Sequence, residues 1–303
     1  MYEENIKMRC KICGAFVNKI FDAKILNKYI VNYYFCDFCG FMQTEEPYWL
    51  SEAYNEAINI FDTGVMSRNI EFVKRTSIIL FFCFDKTAKY LDYAGGYGVF
   101  TRLMRDVGFD FYWYDPYAKN LVARGFEYLE TQSQEIAALT VFECFEHLLN
   151  PINEIEKMLK LSTSIIFSTN VFPAALPEPK DWWYYGFEHG QHISFFSLRT
   201  LQFIAGKFQL NLYSDGTQHH IFTKNSLRAD LVNVIFKNNP LSFRESSRII
   251  KPGTFKKFLK LLIKHVFKIE IDLFGMIKMN MQSKTMNDHN YLVNKFSGQS
   301  EKF

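Results

Sequence analysis

The sequence predicts an α/β fold: a mostly parallel sheet dressed with helices, preceded by a small cysteine-rich module and followed by a basic helical extension. Three observations carry this prediction. Strand, glycine turn, helix and second strand succeed one another over residues 88–115. Two Cys-x-x-Cys pairs stand within the first forty residues. The charge also changes sign along the chain: residues 225–303 hold 14 Lys and Arg against 6 Asp and Glu, while residues 1–224 carry a net −5. These shifts divide the chain into 1–50, 51–224 and 225–303. With 303 residues, 48% hydrophobic and 17% aromatic, it can build a substantial core, which excludes disordered and low-complexity classes. The overall +3 is too mild to argue for a nucleic-acid partner, and none is expected.

The amino-terminal pairs are Cys10-Lys-Ile-Cys13-Gly14 and Cys36-Asp-Phe-Cys39-Gly40, with 22 residues between them. Each turn brings two thiolates to one point, and the following glycine permits the positive φ that aims backbone N–H groups at sulfur. Two such turns give a closed tetrahedral set of Cys10, Cys13, Cys36 and Cys39, which suits structural Zn²⁺. A redox pair needs only one such turn, and iron–sulfur spacings differ. Lys28–Phe35 reads as a strand between the knuckles, making the module a small ribbon. Cys83 and Cys144 lie in apolar surroundings and read as core residues.

The central unit opens with a helical stretch over Ser67–Phe82. The apolar run Ser77–Phe84 falls well short of the roughly 18 residues a membrane span requires. A short strand, Ala88–Tyr93, leads into Ala94-Gly95-Gly96-Tyr97-Gly98, a helix over Val99–Val107, then Gly108 and a second strand, Phe109–Tyr114, closed by Asp115. This is a nucleotide-binding βαβ: glycines let backbone approach a ligand, and the acid can take two ribose hydroxyls. The dinucleotide fingerprint G-x-G-x-x-G is not met, because Val99 stands three places after Gly96. That disfavours a nicotinamide oxidoreductase.

Asp92-Tyr-Ala-Gly-Gly-Tyr-Gly98 resembles the acid-x-G-x-G-x-G turn of class I S-adenosylmethionine-dependent methyltransferases, with Ala94 in place of the first glycine. Ala138–Pro151, containing Glu146-His147 and a proline four residues on, looks like their fourth strand and its following turn. Ser164–Thr169 looks like the fifth strand, Leu198–Lys207 the last helix, and Leu210–Ser214 with Gln218–Thr223 the final hairpin. The resemblance implies a Rossmann-like, mostly parallel sheet of seven strands with one strand reversed. It also implies that Asp92, Ala94, Gly95, Gly96, Gly98, Asp115, Phe142 and Glu143 hold the cofactor.

The segment Asp181–Ser197 joins dense aromatics to His189 and His192. Its His-x-Ser-aromatic-Phe-Ser stretch is similar to that of sugar C-methyltransferases, which also carry a four-cysteine zinc module at the amino end. The resemblance implies that His192 and His147 line the site of proton abstraction, with His189 and Tyr185 as helpers. Chemistry agrees: an activated sulfonium demands only an aligned line of attack and a base of near-neutral pKa, for which imidazole is suited. The expected acceptor is a saccharide or nucleotide-sugar, methylated at oxygen or carbon. A zinc-ribbon binding protein with an inactive fold of this type is the competing reading, favoured by Ala94.

In the tail, Phe255–Lys268 alternates apolar residues and lysines at helical spacing. Such a helix suits an anionic membrane surface, the protein's own core or a second subunit of a homo-oligomer. From Ser283 the chain is polar and is expected to be disordered. The amino terminus has neither the basic region nor the apolar stretch of a signal peptide, which predicts a cytoplasmic location.

Overall fold

A computed structural model of the chain describes residues 8–54, 62–129, 131, 135–173, 175–228, 232, 236 and 273–296. The basic amphipathic stretch 255–268 lies outside the described residues. Strands β1 (Asn18–Ile25), β2 (Tyr29–Phe35) and β3 (Met42–Thr44) form an antiparallel meander, followed by α1 (Leu50–Ala53). The main body runs α2 (Val65–Cys83), β4 (Lys89–Tyr93), α3 (Val99–Val107), β5 (Asp110–Tyr114), β6 (Ile136–Val141), α4 (Pro151–Leu161) and β7 (Ser164–Ser168). After β8 (Ser194–Phe195) come α5 (Leu198–Phe208) and the hairpin β9 (Asn211–Ser214) and β10 (His219–Thr223). Two further helices follow, α6 (Leu273–Asn280) and α7 (Thr285–Phe296).

The large sheet has the order β5-β4-β6-β7-β10-β9, with β10 antiparallel to both neighbours and the β5-β4-β6-β7 pairs parallel. Both faces are covered, so its strands are apolar on both sides. Successive residues serve opposite layers: Tyr90, Ala138, Ile166 and Ile221 join α2, α3 and α6, whereas Leu91, Leu139, Phe167 and Phe222 join α4 and α5. Seven strands were expected, and six form among the described residues. At the seventh position, beyond β5, Glu127 makes only a parallel bridge to Trp113, whose backbone bonds Phe126 and Tyr128 at 2.8 and 2.7 Å. The chain leaves β4 first to β5 on one side and then to β6 on the other. That reversal of order opens a crevice at the carboxyl ends of β4 and β6, where α/β sheets bind ligands.

The small sheet is not confined to the first fifty residues. Its order is β1-β2-β3-β8, so its fourth strand is supplied by the segment after β7, pairing Met42 with Phe195 and Gln43 with Ser194. The tail also departs from expectation. Instead of disorder from Ser283, α7 docks on α3, where Asp288 receives Nε and Nη2 of Arg105 and Nη2 of Arg102, each at 2.8 Å. The polar pattern of α7 suits this ionic contact, beside which the Tyr291 ring lies 5.8 Å from that of Phe126. No helix among the described residues is long and apolar enough to cross a membrane.

Candidate active site

The turn after β4 is built around a buried carboxylate. Asp92 accepts the Thr101 hydroxyl of α3 at 2.9 Å and the Thr140 hydroxyl of β6 at 3.0 Å. Burial pushes its pKa up to about 7, against the pull of those two hydroxyls. Directly above it, a Cβ on Gly95 would stand 2.7 Å from both Asp92 Oδ2 and Trp113 Cδ1, so no side chain fits there. Gly98 has φ +86, and a Cβ there would meet Asn120 Oδ1 at 2.7 Å. Ala94 takes a left-handed φ of 59 without being glycine, a strain of roughly 1–2 kcal/mol. Asp115 closes the turn: its Oδ2 accepts the Gly96 N–H at 2.9 Å and its Oδ1 accepts Tyr117 and Ala118 N–H, both at 2.8 Å. The turn and both acids therefore meet at one point.

At the end of β6 the expected pair divides. The Phe142 ring is stacked on Phe72 with centroids 4.3 Å apart and meets Phe100 edge-on, which commits it to the helical layer. Glu143, at φ 49, accepts the Ser168 hydroxyl at 2.7 Å and lies 3.4 Å from Arg68 Nε. Burial, then the nearby Glu146 charge, raises its pKa. Arg68 also donates two hydrogen bonds to Asp62, at 2.8 and 2.7 Å.

Three of the expected acceptor-site residues converge. The His192 ring is 5.0 Å from that of His147 and 4.7 Å from that of His189, each pair edge to face. The Nδ1 of His192 lies 2.6 Å from the Tyr184 carbonyl, and the Nδ1 of His147 lies 3.0 Å from the Gln191 carbonyl. A carbonyl only accepts, so both Nδ1 atoms carry the proton and both Nε2 atoms keep a lone pair. The Tyr54 hydroxyl also contacts His147 Nδ1, at 2.9 Å. Burial lowers the pKa of His147; burial and then the charges of His147 and His189 put His192 well below the usual range. Burial takes His189 down to about 4. All three are neutral near pH 7.

Tyr185 does not join them. Its hydroxyl donates to the Pro177 carbonyl at 2.8 Å and its ring stacks on Phe187 in the core of the small sheet. The residue before it, Tyr184, meets His192 instead, with centroids 4.6 Å apart. Trp182 is packed against Phe172 and Phe195, whereas Trp183 is 78% exposed.

Two residues outside the sequence expectation also occur here. Glu146 is fully buried, its carboxylate without a hydrogen-bond partner, and burial pushes its pKa up to about 7. Its signal was adjacency to His147 in the Glu-His turn. His219 donates Nδ1–H to Asp215 at 2.8 Å and keeps a buried Nε2 without a hydrogen-bond partner, its ring 5.7 Å from that of Phe72. Burial opposes ionisation of Asp215, but the His219 ring and the Thr217 and Gln218 N–H groups outweigh it and hold that carboxyl well below its usual range.

In the amino-terminal module the two knuckles repeat one geometry. Gly14 and Gly40, at φ 77 and 75, donate N–H to the Cys10 and Cys36 carbonyls at 2.9 and 2.8 Å, and Ile12 N–H points to Cys10 Sγ at 3.4 Å. Cys10 and Cys39 sulfurs are 3.5 Å apart, as are those of Cys13 and Cys36, and all four lie within 4.8 Å of one another. Tetrahedral bonds of about 2.3 Å to zinc would require sulfurs about 3.8 Å apart, so the four thiols fit that ion.

A family model described as a methyltransferase domain matches residues 65–215. This segment of the chain is a methyltransferase domain. A comparison with curated proteins finds no match. Among solved structures, the chain is similar to an O-methyltransferase family 2 protein from Planctomyces limnophilus DSM 3776 in complex with apigenin, at 11% identity and TM-score 0.40, covering 54% of this chain and 60% of that one. It is similar to TnmH at 12% identity and TM-score 0.36, covering 53% and 58%. A SAM-dependent methyltransferase from Bacteroides fragilis, bound to S-adenosyl-L-homocysteine, gives 14% identity and TM-score 0.34, covering 50% and 76%. The chain thus spans less than two thirds of the first two of these chains.

Proposed function

We propose that the chain transfers a methyl group from S-adenosylmethionine to an oxygen or carbon of a small-molecule acceptor, a saccharide or nucleotide-sugar. The observation that supports this reading is the Asp92–Gly98 turn, closed by Asp115 at the switch point of a parallel sheet, together with a neutral histidine cluster whose His147 follows the neighbouring strand β6. S-adenosylmethionine, when bound, supplies an electrophilic methyl on a sulfonium. The backbone of Ala94, Gly95, Gly96 and Gly98 would face its methionine end, and Asp115 retains lone pairs for ribose hydroxyls. Phe142 would offer backbone only, its ring being spent on Phe72; Glu143 would offer its carboxylate.

On the acceptor side, the Nε2 lone pairs of His147 and His192 can take a proton, and His189 crowds the same space. The exposed Trp183 indole is a platform on which an apolar sugar face can stack. Zn²⁺ at Cys10, Cys13, Cys36 and Cys39 is structural in this reading, because four thiols leave no open position. We assign no role in the chemistry to Tyr185. Isothermal titration with S-adenosylhomocysteine and with NADPH tests the cofactor, with binding of the first and not the second expected. Incubation of a nucleotide-sugar pool with labelled S-adenosylmethionine, read by mass, tests the acceptor. Binding of NADPH alone would sink the reading.

A further inference from the structure

Glu146, His147 and His192 form a second cluster of metal-ligating groups, unlike the four thiols in chemistry. One carboxylate oxygen and one ring nitrogen from each histidine lie within 4.8 Å of one another. The surroundings of each group suit a cation. Glu146 has no exposure, and neither of its oxygens has a hydrogen bond of good geometry; the Tyr184 and Thr169 hydroxyls come nearest and bond each other at 3.3 Å. A fully buried carboxylate with no well-aligned hydrogen bond is costly in its charged form unless a cation faces it. Arg68, the cation whose charge reaches it, is already bridged to Asp62 and Glu143.

The histidines are arranged to match. Each gives its Nδ1–H to a backbone carbonyl, Gln191 for His147 and Tyr184 for His192, which leaves Nε2 as the free donor. A metal-bound imidazole is oriented in the same way, its outer N–H tied to a carbonyl or carboxylate. A base pair alone would need neither Glu146 nor its bare oxygens. We propose that Glu146, His147 and His192 hold a divalent transition-metal ion, of the zinc class, whose open coordination position takes an oxygen of the acceptor. Two-histidine, one-carboxylate sets suit Zn²⁺ and leave such a position open. A hydroxyl bound there would have a lowered pKa: its proton would pass to solvent water, its oxygen would take the methyl, and the sulfonium would leave as the neutral thioether, with His192 as a ligand in place of a base. The identity of the acceptor rests on the methyltransferase reading above; the metal site rests on its own ligands.

The test uses the full chain, dialysed against Zn²⁺ and then against metal-free buffer, with zinc counted by elemental analysis. Two ions per chain are expected for the unmodified protein and one for Glu146→Gln and for His192→Ala. In protein loaded with Co²⁺, the second ion should absorb without the thiolate charge-transfer bands of the four-cysteine site. This spectrum decides the matter if either variant does not fold. One metal per chain in the unmodified protein, or two that persist in both variants, overturns the proposal. Titration with S-adenosylhomocysteine on the same samples reads the methyltransferase assignment separately, so either idea can fail alone.

Discussion

At the scale of single residues, charges and lone pairs decide the chemistry. Asp115 accepts three backbone N–H groups and is the partner proposed for ribose. Asp115→Ala should weaken S-adenosylhomocysteine by about ten- to a hundred-fold, the worth of one charge-assisted hydrogen bond. Calorimetry reads it, and unchanged affinity would remove Asp115 from the cofactor site. His192→Ala deletes a lone pair in the proposed acceptor site, whether that pair binds a proton or a metal. Turnover should fall by about a hundred- to ten-thousand-fold while S-adenosylhomocysteine binds as before. Near-full turnover in this variant would shift the role to His147 or His189. The misreading of Tyr185 also belongs here: two adjacent tyrosines point to opposite sides, and nothing in Trp-Trp-Tyr-Tyr says which faces the histidines.

At the scale of elements, α7 is fastened by an ion pair. Arg105 and Asp288 expose only 5% and 6% of their side chains, and Asp288 has its pKa lowered, burial being outweighed by the two arginines. A carboxyl whose folded pKa is depressed contributes stability that is complete above its unfolded pKa of about 3.9 and is lost as pH falls through the folded value. Docking of α7 should therefore be constant at neutral pH and weaken below about pH 4. Asp288→Ala, which leaves Arg105 buried without this partner, should destabilise by about 3–5 kcal/mol. Hydrogen exchange over residues 285–296 measures both. Protection that persists in Asp288→Ala would show that other contacts hold the helix.

At the scale of the whole molecule, the cysteine cluster and the loop that carries His192 are mechanically joined. The Gln43 side chain is held by the backbone of Arg9 and Lys11 beside the first knuckle, and Gln43 pairs with Ser194, two residues from His192. Trp49 Nε1 donates to the Gly190 carbonyl and Gln191 Nε2 to Ala53, each at 2.8 Å. Cys36→Ser should remove the four-cysteine zinc, lower exchange protection over residues 190–196 and depress turnover, with S-adenosylhomocysteine affinity retained. If turnover and protection near His192 survive loss of that zinc, the two parts are independent.

The sequence by itself determined what depends on neighbours along the chain. The helix Val99–Val107 was legible to the residue and the strands around it to within one, because hydrophobic period, glycine turn and closing acid are local signals. The four-cysteine set was legible for the same reason: each Cys-x-x-Cys-Gly turn makes its own geometry. What only the tertiary structure decided lies between distant segments. The pairing of β3 with β8, the reduction of a seventh strand to a bridge at Glu127, and the docking of Asp288 on Arg105 all join residues far apart in sequence. No periodicity encodes which surfaces will meet. Glu146 shows the limit most clearly. Its type and its histidine neighbour were visible, but the bareness of its oxygens depends on everything that packs around it after the chain has folded.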